Sequence, residues 1–262
     1  MNLVVLIKQV PDTTDVKIDR NTNTLIREGV SSIVNPFDMY AVEQALQIRD
    51  EHGGKITCIT MGPPQAEAAL RETLALGVDE TILLSDRAFA GADTLATSYT
   101  LAKAILELGE FDLIICGKQA IDGDTAQVGP GIAEHLDIPH VTYVSKVEEI
   151  ANRHIHVRRM TEEGYDVIAS SLPALITVVK EIGEPRMPSI RGTIKARKAS
   201  ITTWTAKDLK IDEEMVGLSG SPTQVMRIFA PEIRPGGEII EGDSPAEKAK
   251  NLISRLKESH IL

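Results

Sequence analysis

The chain has 262 residues, 42% hydrophobic and 25% charged, a balance that suits a globular protein with one α/β domain and an appendage. A formal net charge of -10 excludes nucleic acid as a partner, because a phosphate backbone is gripped by many Lys and Arg that displace counterions. Cys58 and Cys116 each sit inside an apolar run, which suggests buried thiols rather than a disulfide framework or a metal site. No run is long enough for a signal or membrane helix, so the expectation is a cytoplasmic protein, or a matrix protein whose leader has been removed.

Residues 3–7 are continuously apolar, the pattern of a parallel strand covered on both faces. Residues 15–28 alternate around the polar stretch Asp19-Arg20-Asn21-Thr22-Asn23 and predict a hairpin. Asn35-Pro36 then opens a helix, with Asn as a cap, Pro at the first helical position, and Ala41, Ala45, Leu46 and Ile48 at helical spacing before Gly53-Gly54. A strand at 55–60, a helix at 65–76 closed by Gly77, a strand at 81–84, a helix at 93–108 and a strand at 113–116 follow. That alternation predicts a doubly wound, mostly parallel sheet. Strand-like runs at 141–144, 154–159, 167–170 and 174–179 succeed one another without helices, which predicts an antiparallel flank.

Beyond residue 180 the chain is punctuated by proline and carries Arg191, Lys195, Arg197 and Lys198. Ile190, Ile194, Ile201, Trp204, Leu209, Ile211, Met215 and Val216 make it too apolar for a solvated linker. The expected division is a nucleotide- or flavin-binding α/β domain at 1–183, and an extended arm with a C-terminal helix at 184–262 lying on a partner chain. A self-docked tail, in which the final helix packs back on the sheet, is the alternative. Residues 244–262 read as an amphipathic helix capped by Ser244-Pro245, with Ala246, Ala249, Leu252, Ile253 and Leu256 on one stripe.

The strand at 113–116 runs into Gly117-Lys118-Gln119-Ala120-Ile121-Asp122-Gly123-Asp124-Thr125-Ala126-Gln127-Val128. In an open α/β sheet, ligands bind beyond the carboxyl ends of strands, and here a strand end, two glycines, a lysine and a helix start coincide. Backbone N–H groups there could hold phosphate. The pattern is neither a Walker loop nor Gly-x-Gly-x-x-Gly, so a plain β-to-α turn with a helix cap remains an equal reading of the spacing.

Several segments together resemble electron-transfer flavoprotein beta subunits. Residues 117–127 resemble that family's Gly-Lys-Gln-Ala-Ile-Asp segment, and Asn35-Pro36-Phe37 its Asn-Pro-Phe segment. Val157, Arg159, Glu162, Glu163, Ile168, Pro173, Leu175, Ile176 and Thr177 fall at the intervals of its signature, with Asp166 where Glu or Gln is usual. The resemblance implies an adenine nucleotide hydrolase-like fold and a pocket formed by Leu6, Asn35, Pro36, Phe37, Asp38, Met61 and the loop from Gly117 to Val128. Relatives hold either AMP or a second FAD there; Asp38, Met61 and Val128 differ from the AMP-holding pattern. Asp86-Arg87-Ala88-Phe89-Ala90-Gly91-Ala92-Asp93-Thr94-Leu95-Ala96-Thr97-Ser98 resembles a segment of flavin-bifurcating relatives that oxidise NADH. In it Asp93 or Thr94 would cap a helix, and Thr94 and Thr97 would offer hydroxyls to a flavin or dinucleotide beside Phe89. An ordinary capped helix with Phe89 in the core is the alternative.

The functional expectation is an electron-carrier subunit with an NADH-to-flavin half-reaction. It would bind FAD, accept electrons from NADH, and pass them to the flavin of an alpha subunit and on to external acceptors. The resemblance implies that alpha subunit as heterodimer partner, with an acyl-CoA dehydrogenase and ferredoxin or flavodoxin as redox partners. A subunit holding structural AMP beside a single partner flavin is the rival. An ATP-consuming ligase or pyrophosphatase of similar fold fits poorly, because Lys8-Gln9-Val10-Pro11-Asp12 stands where its phosphate loop would follow the first strand. No nucleophile–base pair is present in the pattern and no catalytic side chain is assigned; redox chemistry would belong to the flavin. Arg153, His154, His156, Arg158 and Arg159 read as a charged, solvated strand, or as a complement to an acidic partner face.

Overall fold

The structure is a computed structural model and describes residues 1–12, 18–19, 24–25, 32–226 and 236–262. Two compact units divide the chain, Met1–Met226 and Arg227–Leu262.

The first unit is built on a nine-stranded sheet. In chain order its elements begin β1 (Asn2–Leu6), β2 (Gln9–Pro11), β3 (Ile18–Asp19), β4 (Thr24–Leu25), β5 (Ser32–Val34) and α1 (Pro36–His52). They continue β6 (Lys55–Met61), α2 (Glu67–Leu76), β7 (Glu80–Leu84), α3 (Thr94–Leu108), β8 (Leu113–Gly117) and α4 (Val128–Leu136). Last come β9 (His140–Ala151), β10 (His154–Met160), β11 (Tyr165–Ser171), β12 (Ala174–Val178), α5 (Ile190–Lys198) and β13 (Thr202–Trp204). The sheet order is β11-β10-β9-β12-β8-β1-β6-β7-β13. Pairing is parallel from β9 to β13, and β10 and β11 add the antiparallel flank.

The apolar run of β1 is explained by what covers it. Leu3, Val5 and Ile7 face one core, where Ala41, Val42, Ala45 and Leu46 of α1 and Leu70 of α2 pack. Val4 and Leu6 face the other, shared with Leu101 and Ile105 of α3 and Ile132 of α4. A strand buried on both faces has no solvated side for polar residues, so alternation disappears. Strands β3 and β4 pair antiparallel. The rest of the hairpin expected at 15–28 lies outside the described residues.

The boundary between the two compact units falls at 226/227. Residues 184–226 belong to the first unit: β13 extends the sheet beside β7, and Ala196, Ala206, Leu209 and Val216 are buried. Arg71 of α2 holds α5 by its C-terminal end, its Nη1 donating to the carbonyls of Ala196 at 2.6 Å and Ala199 at 3.0 Å. The contact is close enough that a Cβ on Gly192 would lie 2.2 Å from the Ala75 carbonyl oxygen. Arg186 forks onto Glu43 of α1, at 2.8 and 3.1 Å, and reaches Asp50 at 2.9 Å. Much of the apolar stretch from 196 to 216 is thus packed on the first unit, while Met187, Ile190 and Ile194 stay exposed.

In the second unit, α6 (Pro245–Glu258) is capped by Ser244, whose Oγ accepts from Glu247 N at 3.3 Å. None of its residues is buried.

Candidate functional site

The chain crosses from β7 on one side of β1 to β8 on the other, so the order in which strands are added reverses between the parallel neighbours β1 and β8. In open α/β sheets the chain segments that leave the two strands at such a point diverge, and ligands bind beyond their carboxyl ends.

Two side chains at the start of α1 tie these strand ends and the loop after β8 together. Asn35 donates through Nδ2 to the Gln119 carbonyl at 2.8 Å and accepts at Oδ1 from Ile121 N at 3.1 Å, so it grips the loop after β8 and makes no side-chain cap on its own helix. Asp38 is buried and accepts from Lys8 N at 2.7 Å and Gly117 N at 3.2 Å, joining the ends of β1 and β8. Burial pushes its carboxyl up to about 7, against the hydrogen bonds and the Lys8 charge that favour the ionised form. Only glycine fits at 117, where a Cβ would lie 2.4 Å from Asp38 Oδ1 and 2.6 Å from the Phe37 carbonyl carbon.

The loop itself is folded on internal bonds and stays open outward. Asp124 N donates to the Ala120 carbonyl at 2.9 Å, and the Gln119 amide donates to the Asp124 carboxylate. Asp124 and Ala126 take left-handed backbone, with φ of 47° and 55°. Asp122, Gly123, Thr125 and Gln127 are exposed. The loop ends at α4, where Gln127 makes no side-chain cap, so Val128 and Gly129 bring amides without a side-chain acceptor to the positive end of the helix, while Pro130 has no N–H and Gly131 N donates to the Gln127 carbonyl at 2.9 Å. Lys8 Nζ is paired with Asp122 at 2.7 Å. Lys118 has no carboxylate partner among the described residues; its ammonium lies 5.1 Å from the Phe37 ring centroid and 5.3 Å from that of Tyr143.

Leu6, Asn35, Pro36, Phe37, Asp38 and the 117–128 loop are therefore brought to one place. Met61 ends the neighbouring strand β6, half-buried against the core that holds Leu6. The second expected cluster is arranged differently. Phe89 is 5% exposed and packed in the core. Asp93 caps α3, accepting from Leu95 N at 2.9 Å and Ala96 N at 3.1 Å, and its other oxygen binds Thr223 N and Oγ1 at 3.0 and 2.8 Å. Thr94 and Thr97 are half-buried in the first turns of α3. Among the described residues no hydrogen bond joins Phe89, Thr94 or Thr97 to the Asn35–Asp38 cluster. The two regions are linked through packing of α3 on α4, where a Cβ on Gly131 would come within 2.7 Å of Ser98 Oγ. Cys58 and Cys116 are buried and free, as their apolar surroundings predict, and burial raises the Cys58 thiol to about 12.

The sequence matches the model of the electron transfer flavoprotein domain over residues 22–209. The chain belongs to the electron-transfer flavoprotein family. It is 54% identical to the electron transfer flavoprotein subunit beta of Thermoanaerobacterium thermosaccharolyticum, with all of both chains covered. At 50% identity and the same coverage it matches the subunit of that name from Clostridium acetobutylicum. Subunit CarD of the caffeyl-CoA reductase-Etf complex of Acetobacterium woodii is 52% identical, again over both whole chains. Such end-to-end similarity makes this an electron-transfer flavoprotein beta subunit, whose partner is an alpha subunit. The α/β fold with its mostly parallel sheet agrees with the one expected from the resemblance. No helix among the described residues is long and apolar enough to cross a membrane.

Two features of the site escaped sequence reasoning. The Lys8–Asp122 pair spans 114 residues of chain, and Tyr143 arrives from β9 by a backbone irregularity that no spacing announces.

Proposed function

We propose that this beta subunit binds FAD in the crevice between β1 and β8, accepts electrons from NADH, and passes them to the flavin of the alpha subunit and on to external acceptors. Those acceptors are an acyl-CoA dehydrogenase on one branch and ferredoxin or flavodoxin on the other, as in flavin-based electron bifurcation. The observation that carries the reading is the set of groups gathered at these strand ends: a loop held by Asn35 and Asp38, a helix start without a side-chain cap, and a Lys118 ammonium with no carboxylate partner among the described residues. This donor set suits the phosphates of a dinucleotide.

FAD bound there would supply the hydride acceptance and single-electron release that no side chain of this chain can perform. The residues of the chain bind and orient. Asn35 and Asp38 hold the loop in register with the strands, Gly117 lets it approach α1, and Leu6 and Met61 offer apolar walls. Lys118 opposes phosphate charge. Thr94 and Thr97, at the start of α3, are proposed to contribute hydroxyls on the flank of α4. Exposed Met187, Ile190 and Ile194 on and before α5 form an apolar and basic face suited to docking the acceptor dehydrogenase. The relative named as a caffeyl-CoA reductase-Etf subunit supports the coupling to a CoA-ester reductase.

Co-purifying the two subunits, denaturing the complex and quantifying released nucleotides tests the reading. Two FAD per heterodimer, no AMP, and bleaching of flavin absorbance by NADH are expected. One FAD with one AMP would overturn it in favour of a structural nucleotide.

A further inference from the structure

We propose that Tyr143 is a positioning residue of this site: together with Phe37 it clasps the Lys118 ammonium between two aromatic rings and keeps it aimed, with its charge intact, at a phosphate or pyrophosphate group. The inference rests on the nucleotide-site reading above.

The backbone around Tyr143 is arranged to deliver this ring. Along β9, Val141 pairs with Ile176 and Val144 with Val178, so two residues of β9 stand opposite Thr177 alone. Strict alternation would send Tyr143 to the same core as Val141. The inserted residue hands that place to Val144, which is buried with Val141, and Tyr143 is turned out and left 40% exposed. Its backbone is left-handed, with φ of 58°, and its N–H is held by Thr177 Oγ1 at 3.2 Å. A bulky aromatic residue is disfavoured in that conformation, where Gly or Asn would be at ease, and such conformations cluster at ligand sites.

The ring meets a lysine that continues the β8 edge, since Lys118 N donates to the Val178 carbonyl at 3.0 Å. Ring faces attract an ammonium through their quadrupole and immobilise a side chain with many rotamers, yet carry no net charge. A carboxylate in the same place would neutralise the lysine. That is the contrast with Lys8, whose charge is met by Asp122. One lysine ties the loop down and the other is kept for a ligand.

The test uses the deflavinated two-subunit complex, titrated in parallel with FAD and with AMP while affinity and its salt dependence are measured. Variants are Lys118→Met, Tyr143→Phe, Tyr143→Leu and Tyr143→Gly. Lys118→Met and Tyr143→Leu are expected to weaken the bound nucleotide about tenfold and to flatten the salt dependence, with Tyr143→Phe matching the parent. Tyr143→Gly should lose the same affinity while thermal stability holds or rises, a combination that a purely structural tyrosine would not give. Weakening by Lys118→Met with full affinity in Tyr143→Leu and Tyr143→Gly would overturn the role of Tyr143 and leave the site reading standing. If neither nucleotide binds the parent complex at the beta subunit, both fall.

Discussion

Asp38 shows how one carboxylate can hold a site together at a cost that depends on pH. It is buried, yet its two oxygens accept backbone N–H groups from the ends of two different strands. With its carboxyl raised from 3.8 to about 7 by burial, folding favours the neutral form. The contribution is therefore most favourable below the unfolded value, is lost as pH climbs, and the penalty is complete above about 7. An Asp38→Asn variant does not titrate, but it sets an amide N–H against one backbone donor, a constant loss at every pH. The readout is thus the slope: from about pH 5 to about pH 8 the unfolding free energy of the parent should fall relative to Asp38→Asn by about 2–3 kcal/mol. A difference that stays flat across that range would show that the carboxyl is already ionised throughout. Nothing in the local sequence distinguishes Asp38 from an acidic residue in an ordinary first helical turn. Its role appears only when β8, some 80 residues onward, is laid beside β1.

At the scale of elements, α5 carries a difference between expectation and structure with a clear physical origin. Its basic and apolar text reads as an exposed arm, and Met187 and Ile190 are indeed 87% and 84% exposed. The same helix is nonetheless docked, because the residues that seat it are small. Gly192 lets its backbone approach the Ala75 carbonyl, and Ala196 is buried. Small residues at a close helix crossing carry no hydrophobic signature, so periodicity passes over them. Gly192→Ala should push α5 off α2, costing about 1–3 kcal/mol by overpacking and opening residues 190–198 to limited proteolysis. Unchanged stability and protection would mean that the crossing can relax around a methyl group. Ile190→Asp is on the opposite, solvent-facing side; it should leave flavin content and stability unchanged while slowing electron delivery to the acceptor dehydrogenase. Equal delivery would remove α5 from the docking face.

At the scale of the whole molecule, the first unit closes its own core and the second buries none of its helix. The apolar stripe of α6 leaves Leu252 and Ile253 about half exposed, which an isolated helix does not sustain without a cover. A chain ending at Met226 is expected to unfold cooperatively with a melting temperature near that of the full chain, but to bind the alpha subunit at least tenfold more weakly by calorimetry. Full affinity in the truncated chain would show that the alpha subunit binds elsewhere. Much of the architecture was determined by the sequence itself, because buried parallel strands, helix starts and closing glycines follow from local rules: the run at 3–7 forms β1, and Asn35-Pro36, Gly77 and Ser244 mark helix ends, although Asn35 spends its side chain on the loop after β8 and does not cap α1 as expected. The family's segments likewise marked the loop after β8. Only the tertiary structure decided what those segments touch. The Asp38 bridge, the Asn35 grip on the loop, the second hold of Asp93 on Thr223 and the approach of Tyr143 to Lys118 each join residues far apart in the chain. Such pairings depend on strand order and on a single inserted residue in β9, and neither leaves a trace in the composition or periodicity of the segments it brings together.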